Sequence, residues 1–202
     1  MKRILALALA AGVSSLAQAT SPVPTVITFD ELQTSLPYVG VNPVSSMGYR
    51  FSNDCGAGPE CLGVWDTSST LTMDPGGAAV FVNYGFTTTT MQQVSGGSFD
   101  LYAIDLADVY NTGASSTIQF TFNYAAGGSS STAVTLDDAI GGQTFVFAQT
   151  GLSSVSWVTL EGDSGWSQFD NVNVSAVPEP GAFALMGLGL AAVGAAARRR
   201  RA

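Results

Sequence analysis

The chain has 202 residues, 46% of them apolar, which is enough for one ordinary domain with a buried core once terminal signals are set aside. Of its seven basic residues only Arg50 lies away from the two ends, so residues 20–177, with fourteen acids, carry a formal charge of −13. Such a surface repels nucleic acid and anionic lipid. The chain has no His and a single Lys at position 2, which excludes the usual general base, amine nucleophile and transition-metal ligand.

The first 19 residues have the three parts of a cleavable export signal. Lys2 and Arg3 give a short positive start, an apolar run follows over 4–11, and Ala17-Gln18-Ala19 supplies the small residues of a signal-peptidase site. The sequence therefore predicts a signal peptide over 1–19 and secretion across the inner membrane, with signal peptidase as a partner.

The middle of the chain, 20–177, is predicted to be an acidic all-β ectodomain. Short apolar alternations are separated by Gly, Ser, Asn and Asp, and no stretch of ten or more residues has a helical period. In the clearest strand, Thr117 to Tyr124, four large apolar residues alternate with polar ones. Eight further strands are predicted, at Thr25 to Phe29, Ser69 to Met73, Ala78 to Asn83, Ser98 to Leu106, Thr132 to Leu136, Thr144 to Phe147, Ser154 to Leu160 and Phe169 to Val174.

Turn residues lie between these runs, including Asp74-Pro75-Gly76-Gly77 and three further Gly-Gly pairs. Many short strands at this spacing favour a two-sheet antiparallel sandwich. Cys55 and Cys61 stand six positions apart in a Gly- and Pro-containing segment that can reverse direction. In an exported protein this spacing predicts a local disulfide rather than a metal site.

The C-terminal segment, 178–202, has the features of a stop-transfer signal. Pro178, Glu179 and Pro180 precede a 17-residue apolar stretch over 181–197, and the basic block Arg198, Arg199, Arg200 and Arg201 follows. As a helix the stretch would reach about 26 Å, close to the thickness of a hydrocarbon core, with the basic block on the cytoplasmic side.

This order of Pro-Glu-Pro, apolar helix and terminal Arg cluster strongly resembles the PEP-CTERM sorting signal of exported proteins in Gram-negative bacteria. The resemblance implies recognition by an exosortase, which would cut near Pro178 to Pro180 and release or transfer the ectodomain at the cell surface or into an exopolysaccharide matrix. An ordinary single-span anchor is the alternative, and it shares the same topology.

The runs ITFDEL, SFDLYAIDL, TLDD, QTFVF, LSSVSWV and QFDNVNV resemble the jelly-roll domains of such exported proteins and, more loosely, carbohydrate-binding modules. In many jelly rolls the first and last strands lie close together, which would bring Asp30 and Glu31 near Asp170. Hard carboxylate oxygens suit Ca²⁺, and the resemblance implies a structural calcium near these positions. The alternative is that these acids face water at strand ends.

Three aromatic residues in or beside predicted loops, Trp65, Tyr110 and Trp166, are candidates for stacking on sugar rings. Partly buried edge residues are the alternative for each, and Trp157 is predicted to be core. No G-x-S-x-G elbow, Ser/His/Asp set or Cys/His pair occurs, so the protein is predicted not to be an enzyme.

The sequence thus favours a surface or exopolysaccharide-matrix protein with a structural or adhesive role. A specific glycan-binding module is the first alternative. A carboxylate-dependent polysaccharide hydrolase is the second, because it needs only a pair of acids at a defined separation.

Overall fold

The computed structural model describes residues 23–109, 114–160 and 165–177, together with four tail residues at 187, 189, 190 and 193. Residues 22–179 form one compact unit. Its described part contains twelve strands and two three-residue 3₁₀ turns, at Asp30–Leu32 and Pro59–Cys61. The strands are β1 Thr25–Ile27, β2 Tyr38–Gly40, β3 Val44–Ser46, β4 Tyr49–Asn53, β5 Leu62–Trp65, β6 Val80–Val82, β7 Thr89–Gln93, β8 Phe99–Asp108, β9 Thr117–Tyr124, β10 Ser129–Thr135, β11 Gln143–Thr159 and β12 Ser167–Ala176.

All strand pairs are antiparallel, and they join in the order β2-β5-β6-β12-β8-β11-β7-β4-β3. β1 pairs with β12, while β9 pairs with β10 and β11. The long strand β11 changes partners along its length: Gln143–Leu152 pairs with β8, whereas Leu152–Thr159 pairs with β9. Register shifts lie between Val146 and Leu152, where Ala148 and Gly151 have φ of 50° and 67°. These irregularities bend the strand.

The continuous sheet folds over on itself into two facing layers. β4 and β12 are four places apart in the strand order, so a flat sheet with a spacing of about 4.8 Å would separate them by roughly 19 Å. Instead the rings of Phe51 on β4 and Phe169 on β12 stack with centroids 5.6 Å apart. The described fold is therefore all-β, as the sequence predicted, and consistent with an antiparallel β-sandwich; the jelly-roll topology remains a prediction.

Large aromatic side chains fill the space between the layers. Phe169 contacts Phe29 and Trp157 edge-on, at centroid distances of 5.6 and 5.0 Å. Trp157 also lies against Phe120 on the neighbouring strand β9, at 5.7 Å. Trp157 is 2% exposed, which places it in the core as the sequence predicted. The alternation of β9 puts Ile118, Phe120 and Phe122 on the buried face.

Several predicted strands differ from those observed. Ser69 to Met73 is not a strand, because it lies in the turns and bends between β5 and β6. The runs at Thr144 to Phe147 and Ser154 to Leu160 belong to one strand, β11. Five strands, β2, β3, β4, β5 and β7, were not predicted.

The four described tail residues, at 187, 189, 190 and 193, are helical. Most of the predicted membrane helix at 181–197, the predicted signal peptide at 1–19 and the sorting residues Pro178, Glu179, Pro180 and Arg198 to Arg201 lie outside the described residues. Within the described part of the chain, none of the helices is long and apolar enough to cross a membrane.

Candidate functional site

A group of exposed aromatic side chains lies along the β2–β5–β6 side of the sheet. Tyr38, Tyr84, Phe86 and Trp166 expose 37%, 47%, 48% and 39% of their surface. Tyr38 lies on β2, the next two follow β6, and Trp166 immediately precedes β12. We call these four side chains the aromatic surface.

Hydrogen bonds connect the two ends of the aromatic surface. The Tyr38 hydroxyl and the Asn83 side-chain amide both donate to the carbonyl oxygen of Glu60, at 3.1 and 2.9 Å. The Trp166 indole Nε1 donates to the carbonyl oxygen of Asn83, at 3.2 Å. Burial, the charge of Glu60 and the nearby Tyr84 phenol raise the pKa of Tyr38, so this hydroxyl stays protonated at neutral pH. Tyr38 and Trp166 are therefore held relative to each other by two intervening backbone carbonyls.

A stacked pair of rings supports Tyr38. Trp65 lies over Phe81 with centroids 3.7 Å apart and planes 9° from parallel, and Tyr38 contacts Phe81 at 5.6 Å. Register explains the arrangement, because Tyr38 is paired with Trp65 and Gly63 with Phe81. A Cβ on Gly63 would stand 2.5 Å from Tyr38 Cε2, so only glycine leaves room for the ring.

The glycines of two loops bring Phe86 and Trp166 together. A Cβ added to Gly85 would be 2.9 Å from the carbonyl oxygen of Gly165. A Cβ added to Gly165 would be 3.2 Å from Phe86 Cζ. Gly165 has a φ of 81°, in the left-handed region that favours glycine. The backbone therefore approaches closely where the loop after β6 meets the residue before Trp166.

The aromatic surface contains one of the three residues predicted to contact glycan. Trp166 is a member, Trp65 is partly buried and stacks on Phe81, and Tyr110 lies outside the described residues. The sequence prediction missed Tyr38, Tyr84 and Phe86. The segment Asn83 to Phe86 carried a signal, because two aromatic residues alternate there with turn-forming Asn and Gly.

A disulfide joins Cys55 and Cys61, as the sequence predicted, with Cα atoms 5.6 Å apart. It closes the loop that contains Glu60, whose carbonyl links Tyr38 to Asn83. The same loop bonds to the segment after β2, since Asn42 donates its backbone N–H to the carbonyl of Pro59 at 2.8 Å. The disulfide loop thus lies under one end of the aromatic surface.

A second group of polar residues, here called the acidic cluster, comprises Asp30, Asp74, Asp105 and Asp170. Burial raises the pKa of Asp170 to about 8, with the charges of Asp74, Asp30 and Asp105 adding to the shift and a backbone hydrogen bond from Asn171 opposing it. The pKa of Asp74 is also raised, by burial and by the charge of Asp30. Asp170 is 1% exposed.

The structure brings together two of the three predicted metal ligands. Asp30 and Asp170 interact electrostatically, whereas Glu31, on the same 3₁₀ turn as Asp30, is an exposed side chain whose role stays a prediction. Asp74 was not predicted. Among the described residues, no three or more His, Cys, Asp or Glu side chains already stand together as a metal-holding group.

A pocket of about 410 Å³ lies at the β3–β4 turn, apart from the aromatic surface and the acidic cluster. It has no charged side chain and none of the predicted site residues; its lining is Met47, Gly48, Tyr49, Gln93, Val94, Ser95 and Ala176. Two of these, Met47 and Val94, expose 60% and 63% of their surface.

Residues 176–201 match the family model described as the PEP-CTERM protein-sorting motif. The chain carries a PEP-CTERM sorting motif. This motif indicates an exported protein that is sorted to the cell surface, as the sequence predicted. A search of curated proteins found no match.

The solved structures to which the chain is similar include several carbohydrate-binding modules. CpGH89CBM32-5 from Clostridium perfringens, in complex with GalNAc-β-1,3-galactose, is 20% identical over 47% of this chain and 69% of its own, with a TM-score of 0.35. A carbohydrate-binding module of family 29 is 12% identical over 78% and 90%, with a TM-score of 0.45. The family 32 module of AlyQ, in complex with 4,5-unsaturated mannuronic acid, is 14% identical over 48% and 76%, with a TM-score of 0.35.

Proposed function

We propose that this PEP-CTERM protein is a non-catalytic component of the cell surface or exopolysaccharide matrix, and that its aromatic surface binds glycan. Export would use the signal peptide at 1–19, and an exosortase would process the tail near Pro178 to Pro180 after a transient membrane anchorage through 181–197. The adhesive role and specific glycan binding are then one function, carried by the same side chains.

The observation that carries the proposal is the exposure of four linked aromatic rings on a domain of charge −13. A pyranose presents an apolar C–H face that packs on an indole or phenol ring, and this contact buries apolar surface of both groups. Neutral or weakly charged polysaccharide suits this surface, because a strongly anionic polymer would be repelled.

The Tyr38 hydroxyl and Asn83 amide add polar groups beside the rings. Both are already ordered by the carbonyl of Glu60, so little conformational entropy remains to be lost when a sugar hydroxyl binds there. Ordered aromatic and polar groups on one surface are the components of a glycan platform.

The burial of Asp170 argues against the hydrolase alternative. Its raised pKa resembles that of a general acid, but the side chain is 1% exposed, so a polysaccharide chain cannot reach it without rearrangement. The exposed acids Asp30 and Glu31 lie on the same short turn as each other, not across a cleft.

The test is binding of the full-length chain, purified in mild detergent under oxidising conditions, to a glycan array and to the producer's own exopolysaccharide. We expect saturable binding that Trp166→Ala or Tyr84→Ala weakens by roughly three- to tenfold. Trp166→Phe should retain most affinity, because it keeps an aromatic ring at this position although it loses the hydrogen bond to the Asn83 carbonyl.

Tyr102→Ala is the matched control, since Tyr102 is a partly buried tyrosine on β8, outside the aromatic surface. Equal loss in the control and in Trp166→Ala, or no binding by the wild-type chain, would contradict glycan binding at this surface. Turnover of the exopolysaccharide would instead support the hydrolase.

A further inference from the structure

Four strands of the described sheet are edge strands. β1, β2, β3 and β10 each have a single partner strand, which is β12, β5, β4 and β9 respectively. The free side of an edge strand presents a row of unpaired N–H and C=O groups, and another chain can pair with that row unless the edge is protected.

Three of these edges are protected in the same way, and β10 is not. β1, β2 and β3 are each three residues long, and each directly follows a proline, at Pro24, Pro37 and Pro43. A short strand offers few backbone groups, and proline has no N–H to donate. β10 is seven residues long, pairs with β9 without a bulge, and has neither proline nor a charged side chain. Among the described edges, only β10 is therefore long and unprotected.

The register of β10 with β9 decides which backbone groups face outward. The N–H of Leu136 donates to the carbonyl of Ser116 at 2.9 Å, and the N–H of Tyr124 donates to the carbonyl of Gly128 at 3.1 Å. The even-numbered residues of β10 therefore bond to β9, because bonding and non-bonding positions alternate along an antiparallel pair. The outward N–H and C=O groups belong to the odd-numbered residues, which are Ser129, Ser131, Ala133 and Thr135.

This edge is also free of the charge that the rest of the domain carries. Residues 109–136, which include β9 and β10, contain no charged side chain, whereas residues 20–177 have a formal charge of −13. Two copies of such a domain repel each other, and the repulsion is smallest where the contacting strands hold no acid. The charge distribution therefore makes β10 a favourable place for two copies to meet.

The first acids beyond β10 favour an antiparallel contact. Asp137 and Asp138 directly follow the strand, while the uncharged turn at 125–128 precedes it. In a parallel contact the two acids of each copy would lie beside the same acids of the other copy. In an antiparallel contact across a two-fold axis they lie beside the uncharged turn instead, so the like charges stay apart.

We propose that two copies of this chain associate by antiparallel pairing of β10 with β10, with Thr132 of one copy opposite Thr132 of the other. This register pairs Ser129 of each copy with Thr135 of the other, and all four outward residues find partners. It also pairs Ser131 with Ala133. Thr132 is then a non-hydrogen-bonded pair on the two-fold axis, with Cα atoms about 4.5 Å apart.

The dimer goes beyond the proposed function, because the pairing uses backbone groups of β10 and needs no glycan. The edge-to-edge contact continues the sheet from one copy into the other. Each dimer would carry two copies of the aromatic surface, so that attachment to a polymer could be bivalent.

The first experiment is cysteine cross-linking of the full-length chain in detergent under a mild oxidant. Both native cysteines are already in the disulfide, so an added thiol has no native partner. Thr132→Cys should give a disulfide-linked dimer on a non-reducing gel, because the two thiols face each other across the axis.

Ser130→Cys is the matched control, since Ser130 is also exposed and lies on the same face of β10. Position 130 is opposite Val134 of the other copy, so the two thiols would be about 13 Å apart along the strands and should remain unlinked. Equal cross-linking of both variants would indicate random collision or association through the tail. No cross-linking of either would leave the edge to a strand of another protein. Either result would overturn self-pairing.

The second experiment measures the dimer by sedimentation velocity of the full-length chain in density-matched detergent. Ser131→Pro removes an outward N–H and leaves the bonds to β9 in place, so it should raise the dissociation constant of the dimer at least about tenfold. Ser131→Ala keeps that N–H and should leave the constant unchanged. Thermal unfolding of both variants checks that the domain is still folded. A dimer that survives Ser131→Pro, or one that both variants lose equally, would contradict backbone pairing at β10.

Discussion

Breaking the Cys55–Cys61 disulfide should cost stability by an amount that the loop length sets. The bond closes a loop with a sequence separation of six. In the chain-entropy treatment, closing a loop of this size removes about 8 cal/mol/K from the unfolded chain, which is about 2 kcal/mol at 25 °C. Reduction should lower the free energy of unfolding by that amount.

The same loop supports the aromatic surface, so reduction should also disturb the environment of the rings. Glu60 lies inside the loop, and its carbonyl accepts from both Tyr38 and Asn83. A loosened loop weakens these bonds and lets Tyr38 move relative to the stacked Trp65 and Phe81. Near-ultraviolet circular dichroism should therefore lose intensity while far-ultraviolet signals remain.

The assay is urea unfolding of the full-length chain with and without a phosphine reductant. Cys55→Ser is the control: it should have the stability of the reduced wild type and be insensitive to reductant. Cys61 is fully buried, so substituting it would confuse the loop effect with lost packing. An unfolding free energy that reductant does not change would refute the loop-entropy argument, and a fall in stability with unaltered near-ultraviolet signal would refute the link to the aromatic surface.

Three further changes test the core, the aromatic surface and a buried acid. Phe169→Ala, which removes a ring shared by both layers, should cost about 3–5 kcal/mol in urea unfolding, and a cost below about 1 kcal/mol would contradict its central position. Gly63→Ala should cost about 1–3 kcal/mol and weaken glycan binding by displacing Tyr38, whereas Gly141→Ala, whose Cβ meets open space, should be nearly neutral. Burial raises the pKa of Asp108 in the folded protein above its value of about 4 in the unfolded chain. The folded protein therefore gains stability from protonated Asp108 at pH values below about 4, and it loses this stability as the pH rises through the folded-state pKa. When the free energy of unfolding in urea is measured over a series of pH values, Asp108→Asn should make its fall with pH shallower by up to about 1.4 kcal/mol per pH unit. An unchanged slope would contradict the raised pKa of Asp108.

Local patterns predicted the strands whose one face is buried and whose other face is solvated. β9 is the clear case, since its alternation matches its burial from Thr117 to Phe122. β5 was missed because three consecutive residues of its four are buried, although neighbouring side chains in a strand point to opposite faces. One of the three is a glycine, so the sequence of β5 shows no alternation of polar and apolar residues. β10 consists mainly of exposed Ser and Thr and forms because β9 offers it a complete register. β5 therefore depends on its pairing with β2 and β6 rather than on an alternation of its own.

The candidate sites divide in the same way. The sequence selected Trp166 as a tryptophan in a predicted loop, and Asp30 and Asp170 because they follow the first predicted strand and lie in the last; their roles stay predictions. Asp74 could not be found locally, because its position beside Asp30 depends on a turn 44 residues further along the chain. Pairing of β2 with β5, which brings Tyr38 over the Trp65–Phe81 stack, is likewise a tertiary result.

The connection between β5 and β6 links the acidic cluster to the aromatic surface. The segment between β5 and β6 carries Asp74, while β6 leads directly into Tyr84 and Phe86. Gln168 fastens this segment to β12, since its Oε1 accepts from the backbone N–H of Met73 at 2.9 Å and its Nε2 donates to the carbonyl of Leu71 at 2.8 Å.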